Sequence, residues 1–281
     1  MVPLVIFVIA LNAYPIVYAI WLSLTDFDLS RQTANFVGLQ TYARVLSDPF
    51  TFSAIMVTLR FTAEAVVLNL LLGLGIALLL NETFRGRGVL RMIALLPWAM
   101  STYAVATLYR FLYGQDIGLF SSFLYALGFT KSYINFLSPE HAIEWVAVAF
   151  SWNLAPLGAF FLLAGLQVIP EDLYRQAKVD GAGSLRRFWH ITIPHLRHAL
   201  LIVLLIVTIF AATETTLILT LTGGGPGIST QTLTYWIFAQ TFRNYDIAYG
   251  AALSWVLIII VLVIGIAYYL VLMRTRGAKR A

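Results

Sequence analysis

The chain has 281 residues, of which 60% are hydrophobic and only 11% charged, with a formal net charge of +5 and no cysteine. A soluble domain of this length carries roughly a quarter charged residues, so lipid must be the solvent of much of this surface. The missing cysteine excludes disulfides and thiolate metal sites and leaves the redox compartment open.

Six apolar stretches are predicted as transmembrane helices, near Pro3–Leu24, Phe52–Leu80, Val89–Tyr113, Ile143–Leu166, Leu200–Leu221 and Tyr249–Met273. Each reaches the roughly 20 residues that cross a bilayer. The runs are continuous and rich in Leu and Ala, which favours helices over the alternating segments of a barrel. The first span is too long for a signal-peptide core and lacks a small-residue cleavage pattern near Leu24, so it is predicted to be retained. Its bare start at Met1 suggests that the true beginning lies upstream. The chain divides into a first helix with its outer loop (1–50), a membrane core (51–274) and a tail (275–281).

Basic residues set the orientation. Arg85, Arg87 and Arg91 follow span two; Arg175, Lys178, Arg186, Arg187 and Arg197 follow span four; Arg274, Arg276, Lys279 and Arg280 follow span six. The opposite loops hold only Arg31, Arg44, Lys131 and Arg243, mixed with Asp26, Asp28, Asp48, Asp116, Glu140 and Asp246. The first set is therefore expected in the cytoplasm, with both termini, in a multi-pass protein of the inner (cytoplasmic) membrane. The positive charge is a topology signal with anionic headgroups as a secondary partner, and no nucleic acid is needed to explain it.

The loop between spans four and five carries the most information. Pro170 followed by Glu171 and Asp172 predicts a helix start, with acids at the positive dipole end, and Gly181 and Gly183 predict its end. A second short basic helix is expected to run up to Pro194. Generic features alone give an interfacial helix with basic flanks.

The string itself resembles the EAA loop of ABC importer permeases, whose pattern is Glu-Ala-Ala-x-x-x-Gly followed, after a spacer, by Ile-x-Leu-Pro. Ala177, Asp180, Gly181, Ile191 and Pro194 fall in register; Arg175 and Gln176 stand where the family most often has Glu and Ala, and Ile193 replaces Leu. Phe84–Arg91 leading to Leu95-Leu-Pro-Trp98, Phe36–Tyr42, and above all Leu221-Thr-Gly-Gly-Gly-Pro226 resemble maltose-type (MalF-like) permeases. Without the resemblance, that last string is only a tight turn after a helix.

The resemblance implies an all-α, six-span type I ABC importer permease fold. It also implies a coupling loop over 169–195 whose Glu171, Tyr174, Arg175, Ala177, Asp180, Gly181, Ala182 and Pro194 dock on an ATPase. The implied partners are a second, MalG-like permease subunit, an ABC ATPase dimer that holds the ATP and Mg, and an extracytoplasmic solute-binding protein met by the outer loops, including Gly223–Gln231. The implied cargo is a di- or oligosaccharide, with glycerol-3-phosphate or a glycerophosphodiester as the alternative within the same machinery.

This chain has no Gly-x-x-x-x-Gly-Lys-Ser/Thr string to cradle ATP. His141, His190, His195 and His198 show no ligand spacing, and no catalytic or metal site and no cofactor is expected. It reads as a transport subunit, not an enzyme. Polar groups inside the bilayer are functional candidates because each costs a few kcal/mol unless it pairs or faces water. Glu214, in Thr213-Glu-Thr-Thr216, either faces a cavity and accepts sugar hydroxyls or pairs with Arg60 or Arg110. Asn153 either meets a sugar hydroxyl or bonds another helix, while Trp152 beside it can stack on a sugar face. In the maltose-type family the sugar lies against span four before its proline and span five before the glycine loop; those positions here are Asn153, Leu154, Phe210, Ala211 and Glu214. Glu64 is assigned to a helix interface, and Pro97 and Pro156 are expected to bend their spans. A rival reading, a proton-coupled secondary transporter with Glu214 as carrier, leaves the EAA-like loop unexplained.

Overall fold

The computed structural model describes residues 2–29, 33–114 and 118–273. Arg31, Asp116 and the charged tail from Arg274 onward lie outside the described residues. Within them the chain is all helical, apart from two isolated bridges, Thr25 with Phe36 and Asp28 with Thr33.

A first apolar helix, α1 (Val2–Ser23), leads to the short amphipathic α2 (Gln40–Ser47). Asp48 then caps α3 (Pro49–Asn81): its side chain accepts from the Phe50 amide at 3.0 Å, and Pro49 sits in the first turn, where no intrahelical donor is missed. Next come α4 (Arg87–Ala99), α5 (Thr102–Leu112), the short α6 (Leu119–Ala126) and α7 (Ala142–Gln167). The inner loop holds α8 (Glu171–Val179) and α9 (Ser184–Arg187). A π-helical turn (Phe188–Thr192) joins α9 to α10 (Ile193–Ala212), followed by α11 (Thr216–Leu221). After α12 (Leu233–Phe238) and a second π turn (Ala239–Arg243), α13 (Ile247–Met273) ends the described chain.

Among the described residues α3, α7, the rod 184–212 and α13 are long and apolar enough to cross a membrane; α4 with α5 is a fifth span if the pair is counted as one. The predicted six is reached by adding α1, 22 residues from Val2 to Ser23. Three predictions change. The third span is not one helix, because α4 and α5 meet at 91°: Pro97 weakens the end of α4, and Ser101 caps α5 by accepting from the Ala104 amide at 3.3 Å. The fifth span does not run to Leu221, because the helix stops at Ala212. The basic helix before Pro194 is not separate either; it runs on as one rod, Ser184–Ala212, the π turn absorbing the amide that Pro194 lacks. Pro156, by contrast, leaves α7 unbroken.

Helix α7 is the most buried span and packs between α3 and α10. Small residues make this possible, since association of helices in lipid depends on close backbone approach. A Cβ on Gly73 would meet the backbone of Ala159 at 3.3 Å, and one on Gly158 would meet Asn69 Oδ1 at 2.8 Å. Phe61 and Phe150 close the interface edge to face at 5.5 Å.

Candidate functional site

The candidate residues fall in three places: Trp152–Leu154 on α7, Phe210–Glu214 at the end of α10, and the inner loop around α8. Inside the bundle, the α4–α5 bend is the organising feature. At the bend Pro97 O accepts from the Met100 amide at 3.3 Å, and Asn153 of α7 adds a second donor: its Nδ2 donates to Pro97 O at 2.5 Å and more weakly to Met100 O at 3.5 Å. Of the two readings open for Asn153, the inter-helix bond is the one realised in this conformation. Trp152 is half-buried, packs edge-on to Tyr109 of α5 at 5.8 Å, and lines an apolar hollow of about 240 Å³ with Pro97 and Pro156.

Glu214 sits in the break between α10 and α11, half-buried. Its Oε1 accepts from the Leu217 amide at 2.8 Å, so the carboxylate faces the positive end of α11. Thr234 of α12 donates to its backbone carbonyl at 3.0 Å. It does not pair with Arg60, which instead holds Glu64 of its own helix at 3.0 Å and bonds Glu144 of α7. Leu154 and Ala211 are buried in one hydrophobic core, whereas Phe210 is 51% exposed. The structure thus puts Leu154 and Ala211 behind the surface, and leaves Trp152, Asn153 and Glu214 partly accessible and Phe210 open.

At the inner end, α8 is a separate short helix lying past the end of α7. Its first turn carries Glu171 and Asp172, its last Lys178. Gly181, at φ +78°, closes it: the Ala182 amide donates to Ala177 O at 2.8 Å and the Gly181 amide to Lys178 O at 3.1 Å. That pair of bonds is a Schellman closure, which needs a left-handed residue at the glycine. Arg175 turns back on its own helix, donating to Glu171 at 2.9 Å and lying 3.6 Å from Asp172. Tyr174 ties α8 to the rod through Thr192, their hydroxyls 2.9 Å apart, and Leu173 and Ile191 pack on the core. Pro194 is exposed in the first turn of α10, and Val179 is 87% exposed at the end of α8.

The glycine loop after α11 encloses Tyr235. Gly223 and Gly224 take φ of +63° and +90°, the Tyr235 hydroxyl donates to Gly223 O at 2.8 Å, and a Cβ on Gly224 would meet the Tyr235 ring at 2.5 Å. The bend expected at Pro97 is present but is a full break, to which the Ser101 cap contributes; missed in the sequence is Asn69, fully buried against Gly158 with neither side-chain polar atom hydrogen-bonded. No group of three or more His, Cys, Asp or Glu able to hold a metal occurs among the described residues.

Comparison with known proteins agrees with this geometry. Residues 69–274 match the family described as binding-protein-dependent transport system inner membrane component. The chain is similar to the trehalose/maltose transport system permease protein MalF of Thermococcus litoralis, 38% identical over 95% of this chain and 90% of that one. It is also similar to the sn-glycerol-3-phosphate transport system permease protein UgpA of Agrobacterium fabrum, 32% identical over 92% and 88%. A bacterial alginate ABC transporter, solved in complex with an alginate pentasaccharide-bound periplasmic protein, shares the fold at a TM-score of 0.81 and 19% identity, covering 98% of this chain and 93% of that one.

Proposed function

The chain belongs to the binding-protein-dependent transport system inner membrane component family, and on that premise we propose that it is one permease half of an ATP-driven importer that takes a di- or oligosaccharide from a binding protein into the cytoplasm. Its partners in this reading are a MalG-like permease, two ATPase subunits and the binding protein, with both termini and α8 on the cytoplasmic side. The supporting observation is α8 itself: a short polar helix, closed by Gly181, projecting from the bundle yet bonded to the α10 rod through Tyr174 and Thr192. A push on α8 is transmitted to that rod, at whose far end the helix breaks and Glu214 stands. Displacing the rod moves the Glu214 break relative to α7, which alternately opens and closes the space between them.

The cargo reading rests on the chemistry of the candidate side chains. Asn153 and Glu214 offer neutral and anionic hydrogen-bond partners, and Trp152 and Phe210 offer aromatic faces, a set suited to hydroxyl-rich rings. Glycerol-3-phosphate is the second reading, since one relative carries that name; a carboxylate at Glu214 opposes a phosphate.

The test is reconstitution of the chain with the products of its neighbouring genes, measuring ATP-driven uptake of trehalose, maltose, glycerol-3-phosphate and a glycerophosphodiester. Glu214→Gln keeps the acceptor that caps α11 and removes only the charge, so uptake of the preferred sugar is expected to change in apparent affinity about tenfold. Uptake by this chain alone, indifferent to ATP and abolished by collapsing the proton gradient, would overturn the proposal.

A further inference from the structure

The end of the molecule opposite α8 carries a second polar hollow, of about 470 Å³, walled by Arg44, Ser47, Asp48, Trp236, Gln240 and Tyr249. Helix α3 has 33 residues, so at 1.5 Å per residue Asp48 lies about 50 Å from the inner end of that helix. With α8 in the cytoplasm, this hollow opens outward.

Its chemistry is unusually complete. Partial burial pushes the Asp48 carboxyl up, but hydrogen bonds from Tyr249, the Phe50 amide and Thr51 outweigh it and hold the group below the usual carboxylate range. Tyr249 donates to it at 2.7 Å and Thr51 at 3.0 Å. The Thr51 amide also bonds this carboxylate, so its roughly four acceptor positions are taken, and Asp48 anchors Tyr249 and Thr51 rather than offering a free acceptor. Arg44 donates to Asp246 at 2.6 Å and stacks 4.6 Å over the Tyr249 ring, its side chain still 62% exposed. The remaining guanidinium N–H groups stay available. Gln240 spends its Oε1 on Asn244 at 3.1 Å, while no acceptor among the described residues takes its Nε2. Trp236, tilted against Phe50 at 5.8 Å, supplies an aromatic wall; its covered indole N–H lies toward the Tyr249 hydroxyl.

The geometry points to a second saccharide site in this outer hollow, where one uncharged ring of the cargo is held between Trp236, Arg44 and Gln240 before it enters the membrane. A planar cation, a free amide donor and an aromatic face together recognise vicinal hydroxyls and the apolar face of a pyranose. Asp48 and Asp246 against Arg44 leave one net negative charge, which disfavours a phosphate. The volume lies within the roughly 300–1,000 Å³ of small-molecule sites. This inference rests on the sugar-importer reading, but concerns a place remote from Asn153 and Glu214.

The experiment uses the whole transporter in nanodiscs without its binding protein, in a Glu214→Gln background that weakens the inner site. Trehalose, maltose and glycerol-3-phosphate are the probes, and bound ligand is measured by equilibrium dialysis. The expected result is saturable binding of a disaccharide, weakened at least tenfold by Gln240→Met and likewise by Trp236→Phe, with no binding of glycerol-3-phosphate. Assembly of each variant is checked by size-exclusion chromatography, and the second variant serves if the first fails to assemble. Binding of no disaccharide, or binding that both variants leave unchanged, overturns the site. If the variants instead weaken docking of the empty binding protein while no sugar binds, the hollow is a socket for a protein side chain and the proposal fails. Failure of the wild-type transporter to import any of these sugars with ATP would refute the importer reading instead, so the two failures are separable.

Discussion

Gly181→Ala isolates the closure of α8. The glycine sits at φ +78° with nothing within 4 Å of where a Cβ would be, so no clash contributes and the cost is backbone alone. An alanine held in the left-handed region costs roughly 1–2 kcal/mol, against a closure of two backbone bonds, Ala182 to Ala177 and Gly181 to Lys178. That shifts the balance between closed and frayed ends of α8 by roughly 5- to 30-fold. Asparagine tolerates the same conformation, so Gly181→Asn is expected to stay near wild type, Gly181→Asp to be intermediate and Gly181→Ala to be worst. The assay is the ratio of sugar uptake to ATP hydrolysed in proteoliposomes: coupling falls in that order while insertion and assembly persist. Equal coupling in the Asn and Ala variants would show that left-handed geometry at Gly181 is not what matters, and wild-type coupling in both Ala and Asp would remove α8 from the transmission path.

Other outcomes follow from the bundle. Gly158→Ala forces its Cβ toward Asn69 Oδ1 at 2.8 Å and Val203 at 3.3 Å, so a loss of about 1–3 kcal/mol is expected from overpacking; thermal unfolding in detergent measures it, and adding Asn69→Ala should recover part of it. Asn153→Leu removes one of the two donors to Pro97 O and is expected to destabilise the α4–α5 bend by about 0.5–1.5 kcal/mol, read as a lowered melting temperature and faster proteolysis at residues 97–102. Asp48 has a folded pKa below its unfolded one, so its contribution is present above the ordinary carboxylate range and fades as pH falls through the folded value. Asp48→Asn should therefore flatten the acid limb of a stability–pH curve below about pH 4, and an unchanged limb would remove Asp48 from that account.

What the sequence disclosed followed the range of the interaction. Helix α8 was legible because its start and stop are local: Pro170, the two acids and Gly181 act within their own turns. The glycine loop was legible as a turn, but not its reason, the Tyr235 ring lying over Gly224 from 11 residues away. A bend near Pro97 was legible, but its size was not: continuous high hydropathy masks the new start that Ser101 caps at α5. Thr213-Glu-Thr-Thr216 showed its polarity but not its meaning: it is where a helix ends, and the carboxylate satisfies amides of the next one. The Asn153 bond to Pro97 joins residues 56 apart, and no periodicity encodes that. The amphipathic α2 and the short α6 and α12 are too short to cross a bilayer and so leave no span signal in the hydropathy.

The inward turn of Arg175 has a bearing on kinship between subunits. Arg175 spends its cation on Glu171 and Asp172 of the same helix, so if α8 is the handle proposed above, it would present an outside motor with a nearly self-neutralised knob, met by contour and by the greasy tip at Val179. A joint of that kind would hold in brine as well as in fresh water, and would accept a borrowed motor whose socket has the right shape whatever charge lines its rim.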